Sequence, residues 1–345
     1  MKRLRAAAAL AVASLALAAC SSSSEPEATA TSSEPTSAIT VYSGRSEELV
    51  GPLFTMFTAE TGIAVNARYG DTAELAAQLI EEGDASPAQV FFAQDAGALG
   101  AVDAEGLLSP LPSQVATLVP ENYRAPSGNW TGVTGRSRVI AYDSAQVKKS
   151  DVPKSVFDLT DKKWAGQVGI APTNASFQSF VTAMRVSQGD AKTKAWLEGL
   201  VDNDAQIFEG NSLILNAVDA GQVQLGLLNH YYWYQKAAEI GADAMRAQLG
   251  FAAPGDPGAL VNVAGVGVLK GGAGNADAEA FVAWLLSDTT QQWFVENTYE
   301  YPLIPGVAAV DGIPDLDLLR GPDAALAELA DLPGTLEMLQ EVGLL

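Results

Sequence analysis

The chain has 345 residues, of which 41 are acidic and 20 are basic, so its formal net charge is −21. Such an acidic surface argues against nucleic acid and anionic lipid as binding partners. With a single cysteine, Cys20, no disulfide framework is possible, and the single histidine, His230, leaves one possible base for a catalytic triad. No serine lies in a nucleophile elbow, and the HExxH, CxxC and phosphate-loop spacings do not occur. The sequence therefore predicts a protein that is not an enzyme.

The N-terminus predicts export and lipidation. Three cations within the first five residues precede an apolar stretch over 6–16, which is shorter than the about 20 residues of a membrane-spanning helix. The stretch Leu17-Ala18-Ala19-Cys20 resembles a bacterial lipobox, so we expect residues 1–20 to be a signal peptide and Cys20 to carry lipid. The alternative is an ordinary secretory signal with an incidental cysteine. Residues 21–38 are Ser, Glu, Pro, Ala and Thr, with no large apolar side chain that a folded domain could bury, so they predict a flexible tether.

The predicted elements after the tether alternate between strand and helix. The first series has strands at 39–42, 63–69 and 90–92, with helices from Ser46 and Thr72 that end at Gly62 and Gly83. The second has strands at 139–142, 168–171 and 224–228 around helices at 176–185 and 212–220, and an apolar strand follows at 261–269. This alternation predicts helix-covered parallel sheets, whose binding sites lie beyond the carboxyl ends of the strands. Two series and a late return strand predict two lobes, for which the chain after the tether is long enough.

A run of aromatic residues, Leu228-Asn229-His230-Tyr231-Tyr232-Trp233-Tyr234, follows the strand at 224–228 and is interpreted as a loop. Phenolate oxygen is a hard anionic donor that suits a small, highly charged cation such as Fe³⁺. Making one phenolate at neutral pH costs roughly 4 kcal/mol, which a trivalent cation offsets and a neutral sugar or amino acid does not. The alternatives are an aromatic wall for an organic ligand, or plain packing.

A second informative segment is Ala171–Phe177, where a predicted strand ends and a helix begins. The free backbone N–H groups and the dipole of such a helix start favour an anion. Because Thr173 and Asn174 are also ordinary helix caps, the pattern alone leaves both interpretations open.

Together these segments resemble the ferric-ion-binding proteins of bacterial ABC iron uptake. The most specific parts of the resemblance are NHYYW at Asn229–Trp233 and PTNASF at Pro172–Phe177, and the match runs in order over nearly the whole mature domain. The other matching stretches are ITVYSGRSE at Ile39–Glu47, GDTAELAAQLIEEG at Gly70–Gly83, SPAQVFF at Ser86–Phe92, GRSRVIAYD at Gly135–Asp143, KKWAGQVGIA at Lys162–Ala171, GNSLILNAV at Gly210–Val218, DPGALVNVAG at Asp256–Gly265 and EYPLIPG at Glu300–Gly306.

The resemblance implies a two-lobed α/β fold of the type 2 periplasmic-binding-protein kind, in which each lobe is a helix-covered, mostly parallel sheet and the chain crosses at a hinge. The first lobe is expected at 39–136 plus 262–311, and the second at 137–261 plus 312–345. It further implies that Fe(III) is held by the adjacent tyrosines and that a synergistic anion, carbonate or phosphate, completes the coordination. The tyrosines are Tyr231 and Tyr232, and the anion pocket maps onto Asn174, Ala175, Ser176, Asn211 and Asn229.

The sequence departs from one branch of the family at two positions. Where that branch has a histidine and a glutamate from the first lobe, this chain has Ser46 and Gln94, neither of which is a strong ferric ligand. The site would then resemble the branch that uses tyrosines with carbonate, with Arg45 or Arg136 holding the anion.

Tyr69, at the end of the second strand, is the candidate for a third phenolate, with packing on the lobe as the alternative. Tyr142 is a weaker candidate because burial explains it. His230 is expected not to be a ligand, because neighbouring side chains in a turn usually diverge.

The predicted function is therefore that of a lipid-anchored receptor on the outer face of the cytoplasmic membrane, either extracellular in a Gram-positive envelope or periplasmic. It captures Fe(III) with an anion and delivers it to an ABC permease driven by its ATPase, as a monomer without a nucleic-acid partner. The nearest alternative is the same fold with another solute, such as an oxyanion, a phosphonate or a small organic molecule. A surface-attached hydrolase is a further alternative, which the missing nucleophile motif disfavours.

Overall fold

The structure, a computed structural model, describes residues 35–319, 321 and 326–345. The predicted signal peptide, Cys20 and the tether up to residue 34 lie outside the described residues. Within those residues, no helix has the length and apolar character that crossing a membrane requires.

Strands and helices alternate along the described chain. The strands are β1 (Ser37–Ser43), β2 (Ile63–Tyr69), β3 (Val90–Ala93), β4 (Leu108–Ser109), β5 (Trp130–Asp143), β6 (Val168–Ile170), β7 (Gln206–Ile207), β8 (Leu225–Asn229), β9 (Ala247–Gly250), β10 (Val261–Leu269) and β11 (Tyr301–Pro302). The helices are α1 (Glu47–Thr61), α2 (Thr72–Glu82), α3 (Ala96–Ala104), α4 (Ser113–Ala116), α5 (Ala175–Gln188), α6 (Asp190–Asp202), α7 (Asn211–Asp219), α8 (Tyr231–Ile240), α9 (Ala276–Leu285), α10 (Asp288–Thr298) and α11 (Leu332–Glu341).

Local sequence signals set the ends of the first two helices. Gly62 follows α1 in the left-handed region, at φ 75°, where a residue without a Cβ atom carries no steric cost. Asp71 caps α2 because its carboxylate accepts the backbone N–H groups of Ala73 and Glu74. Both helices therefore occupy the stretches that the sequence predicts, and they position the loops that follow β1 and β2.

The strands lie in the order β2-β1-β3-β10-β5-β8-β6-β7, with β4 beside β10 and with β9 and β11 beside β5. The strands of the two α/β series pair in parallel, β1 with β2 and β3, and β6 with β7 and β8. The long strands β5 and β10 run antiparallel to each other and to their neighbours. The result is the predicted α/β architecture of two helix-covered, parallel-stranded lobes joined by crossing strands.

Strand β5 changes its partner halfway along. Its first half pairs with β10 as far as Ser137, which lies opposite Val261, and its second half pairs with β8 from Arg138, which lies opposite Asn229. The change of partner coincides with the predicted lobe boundaries near residues 137 and 261, and those boundaries stay a prediction. Because β8 pairs with the second half of β5, the carboxyl end of β8 lies beside the middle of β5.

One prediction of local structure is wrong. The segment after β8 was expected to be a loop, but Tyr231–Ile240 forms helix α8, which starts immediately after His230. The residues after the aromatic run, Gln235-Lys236-Ala237-Ala238-Glu239, are good helix formers and extend the helix past the aromatic run. The two adjacent tyrosines therefore stand in the first turn of a helix.

Candidate functional site

Tyr231 and Tyr232 form a stacked pair at the carboxyl end of β8. Their ring centroids lie 4.3 Å apart with an interplanar angle of 27°. Tyr231 is buried and Tyr232 is half-buried. Burial raises the pKa of the Tyr231 phenol well above its ordinary value, and Tyr232 raises it further, while Arg45 and Arg136 act in the opposite direction. Without a bound cation the Tyr231 hydroxyl is therefore protonated at neutral pH.

Three buried arginines surround the tyrosine pair. Arg45 follows β1, while Arg136 and Arg138 alternate along β5 and so point to the same face of the strand. Burial and the neighbouring Arg136 lower the pKa of Arg138 to about 9, against the opposing effect of the two tyrosines. A site with this much buried positive charge favours anionic groups.

Glu300 is the acidic partner of this cluster. Its carboxylate accepts a hydrogen bond from the Arg45 guanidinium over 2.7 Å, and the two side chains are 0% and 2% exposed. The hydroxyl of Thr298 donates to the same carboxylate oxygen over 3.1 Å. The pair compensates one arginine, and within the described residues Arg136 and Arg138 have no carboxylate at hydrogen-bond distance.

Several buried donors of the cluster have no hydrogen-bond partner among the residues that the structure describes. They are Nε of Arg45, Nε and Nη1 of Arg136, and Nδ2 of Asn229, and the second carboxylate oxygen of Glu300 is also without a partner. The remaining Arg136 nitrogen, Nη2, donates to the Gln94 carbonyl. Because buried polar groups are nearly always hydrogen-bonded, unpaired donors on neighbouring residues indicate a place for an anionic ligand.

The predicted anion corner is assembled at the start of α5. Asn174 caps the helix, and its side-chain oxygen accepts the Ser176 N–H over 3.1 Å, the Ser176 hydroxyl over 2.6 Å and the Asn211 amide over 3.2 Å. Arg138 donates to the Ser176 carbonyl over 2.6 Å and so joins the corner to the tyrosine cluster. The corner residues Asn174, Ala175, Ser176 and Asn211 thus come together, but their side chains bond to one another.

Tyr69 lies on the α1 side of the first lobe. Its ring stacks on Phe54 at 6.3 Å and 12°, and the two line a shallow surface pocket with Glu47 and Gly51. Burial and the charge of Glu47 raise the pKa of the Tyr69 phenol. The structure therefore does not bring Tyr69 together with the tyrosine pair, and its role as a third phenolate stays a prediction.

Ser46 and Gln94 are the two first-lobe positions at which the sequence departs from the related branch, and they lie in different surroundings. Ser46 is exposed before α1, and its side chain caps none of the described backbone N–H groups. Gln94 follows β3, where its N–H donates to the Thr72 hydroxyl over 3.1 Å and its carbonyl accepts from Arg136. Gln94 thus reaches the cluster through its backbone.

The histidine beside the pair is fully buried and engaged on both sides of its ring. Nδ1 of His230 accepts the Ser137 N–H over 3.1 Å, and Nε2 lies 3.0 Å from the Tyr299 carbonyl oxygen. Burial lowers the pKa of His230 to about 4, so the imidazole is neutral with its proton on Nε2. With both nitrogens in use, His230 has no free donor atom for a metal.

Two members of the cluster, Arg138 and Glu300, were not predicted as site residues. The sequence does contain a signal for Arg138, because this residue lies two positions after Arg136 in a strand and must share the same face. Glu300 had none, since 255 residues separate it from Arg45 in sequence.

Comparison with known proteins places the chain among solute-binding proteins. Residues 85–323 match the family described as bacterial extracellular solute-binding proteins. The Fe(3+)-binding periplasmic protein of Serratia marcescens is 35% identical over 310 residues, which cover 89% of this chain and 90% of that protein. The structure of iron-bound HitA from Pseudomonas aeruginosa is 33% identical, with a TM-score of 0.84 over 89% of this chain and 99% of that one. The Trichodesmium FutA structure, a complex with iron and citrate, is 28% identical, with a TM-score of 0.75 over 89% of this chain and all of that one.

Proposed function

Because the chain belongs to the family of bacterial extracellular solute-binding proteins, we propose that it captures Fe(III) in the cleft between its lobes, with Tyr231 and Tyr232 as phenolate ligands. It is a binding protein for iron transport and not an enzyme. The observation that carries the ligand assignment is the stacked tyrosine pair at the end of β8, beside three buried arginines. Phenolates suit a ferric ion because both are hard, and the ion offsets the cost of removing the phenol protons.

The charges of the cluster support a synergistic anion. Three arginines and a ferric ion bring six positive charges, and Glu300 with two phenolates brings three negative ones, so positive charge remains in excess even when the carboxyl of Asp95 near Arg136 is counted as negative. A divalent anion reduces this excess and fills coordination positions that two tyrosines leave open. Carbonate and phosphate are the anions we propose, and the citrate in the Trichodesmium relative is a chemically similar oxygen donor.

The unpaired donors favour a particular place for this anion. In the described part of the chain, Nε of Arg45, two nitrogens of Arg136 and Nδ2 of Asn229 are buried without partners, whereas the corner residues at the start of α5 bond to one another. We place the anion against the two arginines and Asn229, where charge-assisted hydrogen bonds to its oxygens are strongest. An anion that also reached Asn174, Ser176 or Asn211 would have to replace their mutual bonds.

The cellular setting is proposed from the N-terminal sequence and the family. Cys20 and the lipobox-like stretch before it support a lipid anchor. The stretch predicted as a tether supports attachment to the outer face of the cytoplasmic membrane, but it ends sooner than predicted, because β1 already begins at Ser37. Members of the family deliver solutes to membrane permeases, so we propose an ABC permease and its ATPase as partners of a monomeric receptor.

Titration of the metal-free protein with Fe(III)–nitrilotriacetate, in buffers with and without bicarbonate, tests the proposal. One equivalent of iron should bind and give a red-orange charge-transfer band. Bicarbonate should increase the affinity for iron. Phosphate in place of bicarbonate identifies the preferred anion. Tight binding of an oxyanion without iron, with no visible band on adding iron, would support the alternative of an oxyanion-binding protein instead.

A further inference from the structure

The imidazole of His230 is a buried link between three parts of the chain. It stands between the last residue of β8 and the first turn of α8, so it directly precedes the tyrosine pair. Its side chain is 0% exposed, and both ring nitrogens are within hydrogen-bond distance of backbone atoms from other elements. A buried polar ring with both nitrogens satisfied fixes the position of the chain that carries it.

The first link joins His230 to the strand β5. The Ser137 N–H donates to Nδ1 over 3.1 Å, and the His230 N–H donates to the Ser137 carbonyl over 3.0 Å, so the two residues are joined twice. Ser137 is the last β5 residue paired with β10, and Arg138 is the first paired with β8. His230 is thus attached to the point at which the crossing strand changes from one lobe to the other.

The second link joins His230 to the segment that holds Glu300. Nε2 donates to the Tyr299 carbonyl over 3.0 Å, and Tyr299 is one of two non-glycine residues with a positive φ in the part of the chain described, at 60°. A left-handed backbone at a tyrosine is costly, so surrounding contacts must hold it. Glu300 follows directly and accepts the hydrogen bond from Arg45.

Aromatic contacts complete the enclosure of the ring. The His230 ring lies 4.8 Å from Tyr301, 6.0 Å from Tyr231 and 6.2 Å from Tyr234, measured between centroids. Tyr301 belongs to β11, which pairs with the first half of β5. The imidazole therefore contacts both the helix that carries the tyrosine pair and the segment that carries Glu300, the partner of Arg45.

We propose that His230 is a positioning residue, which sets the first turn of α8 against the crossing strand and so holds the Tyr231 and Tyr232 hydroxyls at the Arg45–Glu300 pair. This inference rests on the proposed function of the tyrosine pair. His230 itself does not contact the iron. It supplies one acceptor, Nδ1, and one donor, Nε2–H, in fixed directions from one rigid ring.

Three substitutions separate the parts of this role. His230→Asn keeps an acceptor near the position of Nδ1, His230→Gln keeps a donor near the position of Nε2, and His230→Leu keeps neither. Trp233→Phe is the matched control, because it removes a hydrogen bond of 2.7 Å that joins the same helix to the Ala247 carbonyl in β9. Each protein is loaded with Fe(III) and bicarbonate, and the charge-transfer maximum and the rate of iron loss to excess citrate are measured beside urea unfolding.

We expect His230→Leu to lose iron at least tenfold faster than the parent and to shift the charge-transfer band. The Asn and Gln variants should have rates and band positions between those of the parent and His230→Leu. Trp233→Phe should lower stability while keeping the parent band and rate. If His230→Leu does not fold, the Asn and Gln variants carry the test through the same two readouts. A parent-like band and rate in every folded His230 variant would overturn the inference. A parent protein without any band would instead contradict the proposed function.

Discussion

Arg45 donates a hydrogen bond to Glu300 over 2.7 Å, and both side chains are buried beside the tyrosine pair. Burial alone would lower the pKa of Arg45, but the charges of Glu300 and of the two tyrosines outweigh it and raise the pKa above its ordinary value. Arg45 therefore stays cationic at neutral pH, and Glu300 compensates its charge before an anion arrives.

Glu300→Gln should destabilise the metal-free protein. Removing one partner of a buried ion pair leaves an uncompensated charge, which costs about 3 kcal/mol or more. Bicarbonate should restore part of the lost stability, because an anion bound at Arg45 would replace the missing negative charge of Glu300. Urea unfolding with and without bicarbonate measures both effects. Glu341→Gln is the control, since its ion pair with Lys194 is exposed, at 41% for Lys194 and 52% for Glu341, and its loss should change stability far less. Equal losses in the two variants would contradict a special role for Glu300.

Iron binding should release protons from the tyrosines. The pKa of Tyr231 lies well above its ordinary value in the metal-free protein, so its phenol is protonated at neutral pH and must lose that proton to bind iron. Affinity should therefore fall as the pH falls, by up to about tenfold per pH unit for each tyrosine ligand. Proton release on loading, measured with a pH indicator, should be smaller by one proton per iron in Tyr231→Phe than in the parent. Equal release from both proteins would exclude Tyr231 as a phenolate ligand.

Asn229→Ala tests the place of the anion. Its side-chain nitrogen is buried at the carboxyl end of β8 and has no partner among the described residues, and we propose that it donates to the anion. Loss of such a hydrogen bond should weaken the coupling between bicarbonate and iron by about tenfold, or 1.4 kcal/mol. Because coupling is reciprocal, the same loss should appear when bicarbonate is titrated into the iron-loaded protein. Unchanged coupling would move the anion to the corner at Asn174 and Ser176.

Tyr69→Phe tests the third phenolate. In the structure the Tyr69 ring stacks on Phe54 over α1, so a role as ligand requires the side chain to leave that contact. We expect Tyr69→Phe to cost less iron affinity than Tyr231→Phe or Tyr232→Phe, as measured by competition with citrate. A loss as large as theirs, with a shifted visible band, would establish Tyr69 as a third ligand.

The elements set by local signals could be predicted from the sequence. β2 and β10 have the predicted bounds, because each is an apolar or alternating run between turn residues, and α1 ends at Gly62 as its pattern indicates. The tyrosine pair was also found, but its helix was missed, since the aromatic run masks the helix formers that follow it. Tertiary pairings were out of reach: Arg45 with Glu300, and His230 with Ser137 and Tyr299, join distant segments that no local pattern connects.

The visible spectrum of iron-loaded Tyr231→Phe and Tyr232→Phe tests the central claim most directly. Each substitution removes one phenolate and keeps the ring, so the charge-transfer band should fade and iron should bind at least tenfold more weakly, about 1.4 kcal/mol. Tyr234→Phe, on the same helix and in contact with Tyr299 at 6.3 Å, should keep the parent band and affinity. If both pair variants bound iron as tightly as the parent with an unchanged band, the tyrosine pair would not be the iron site.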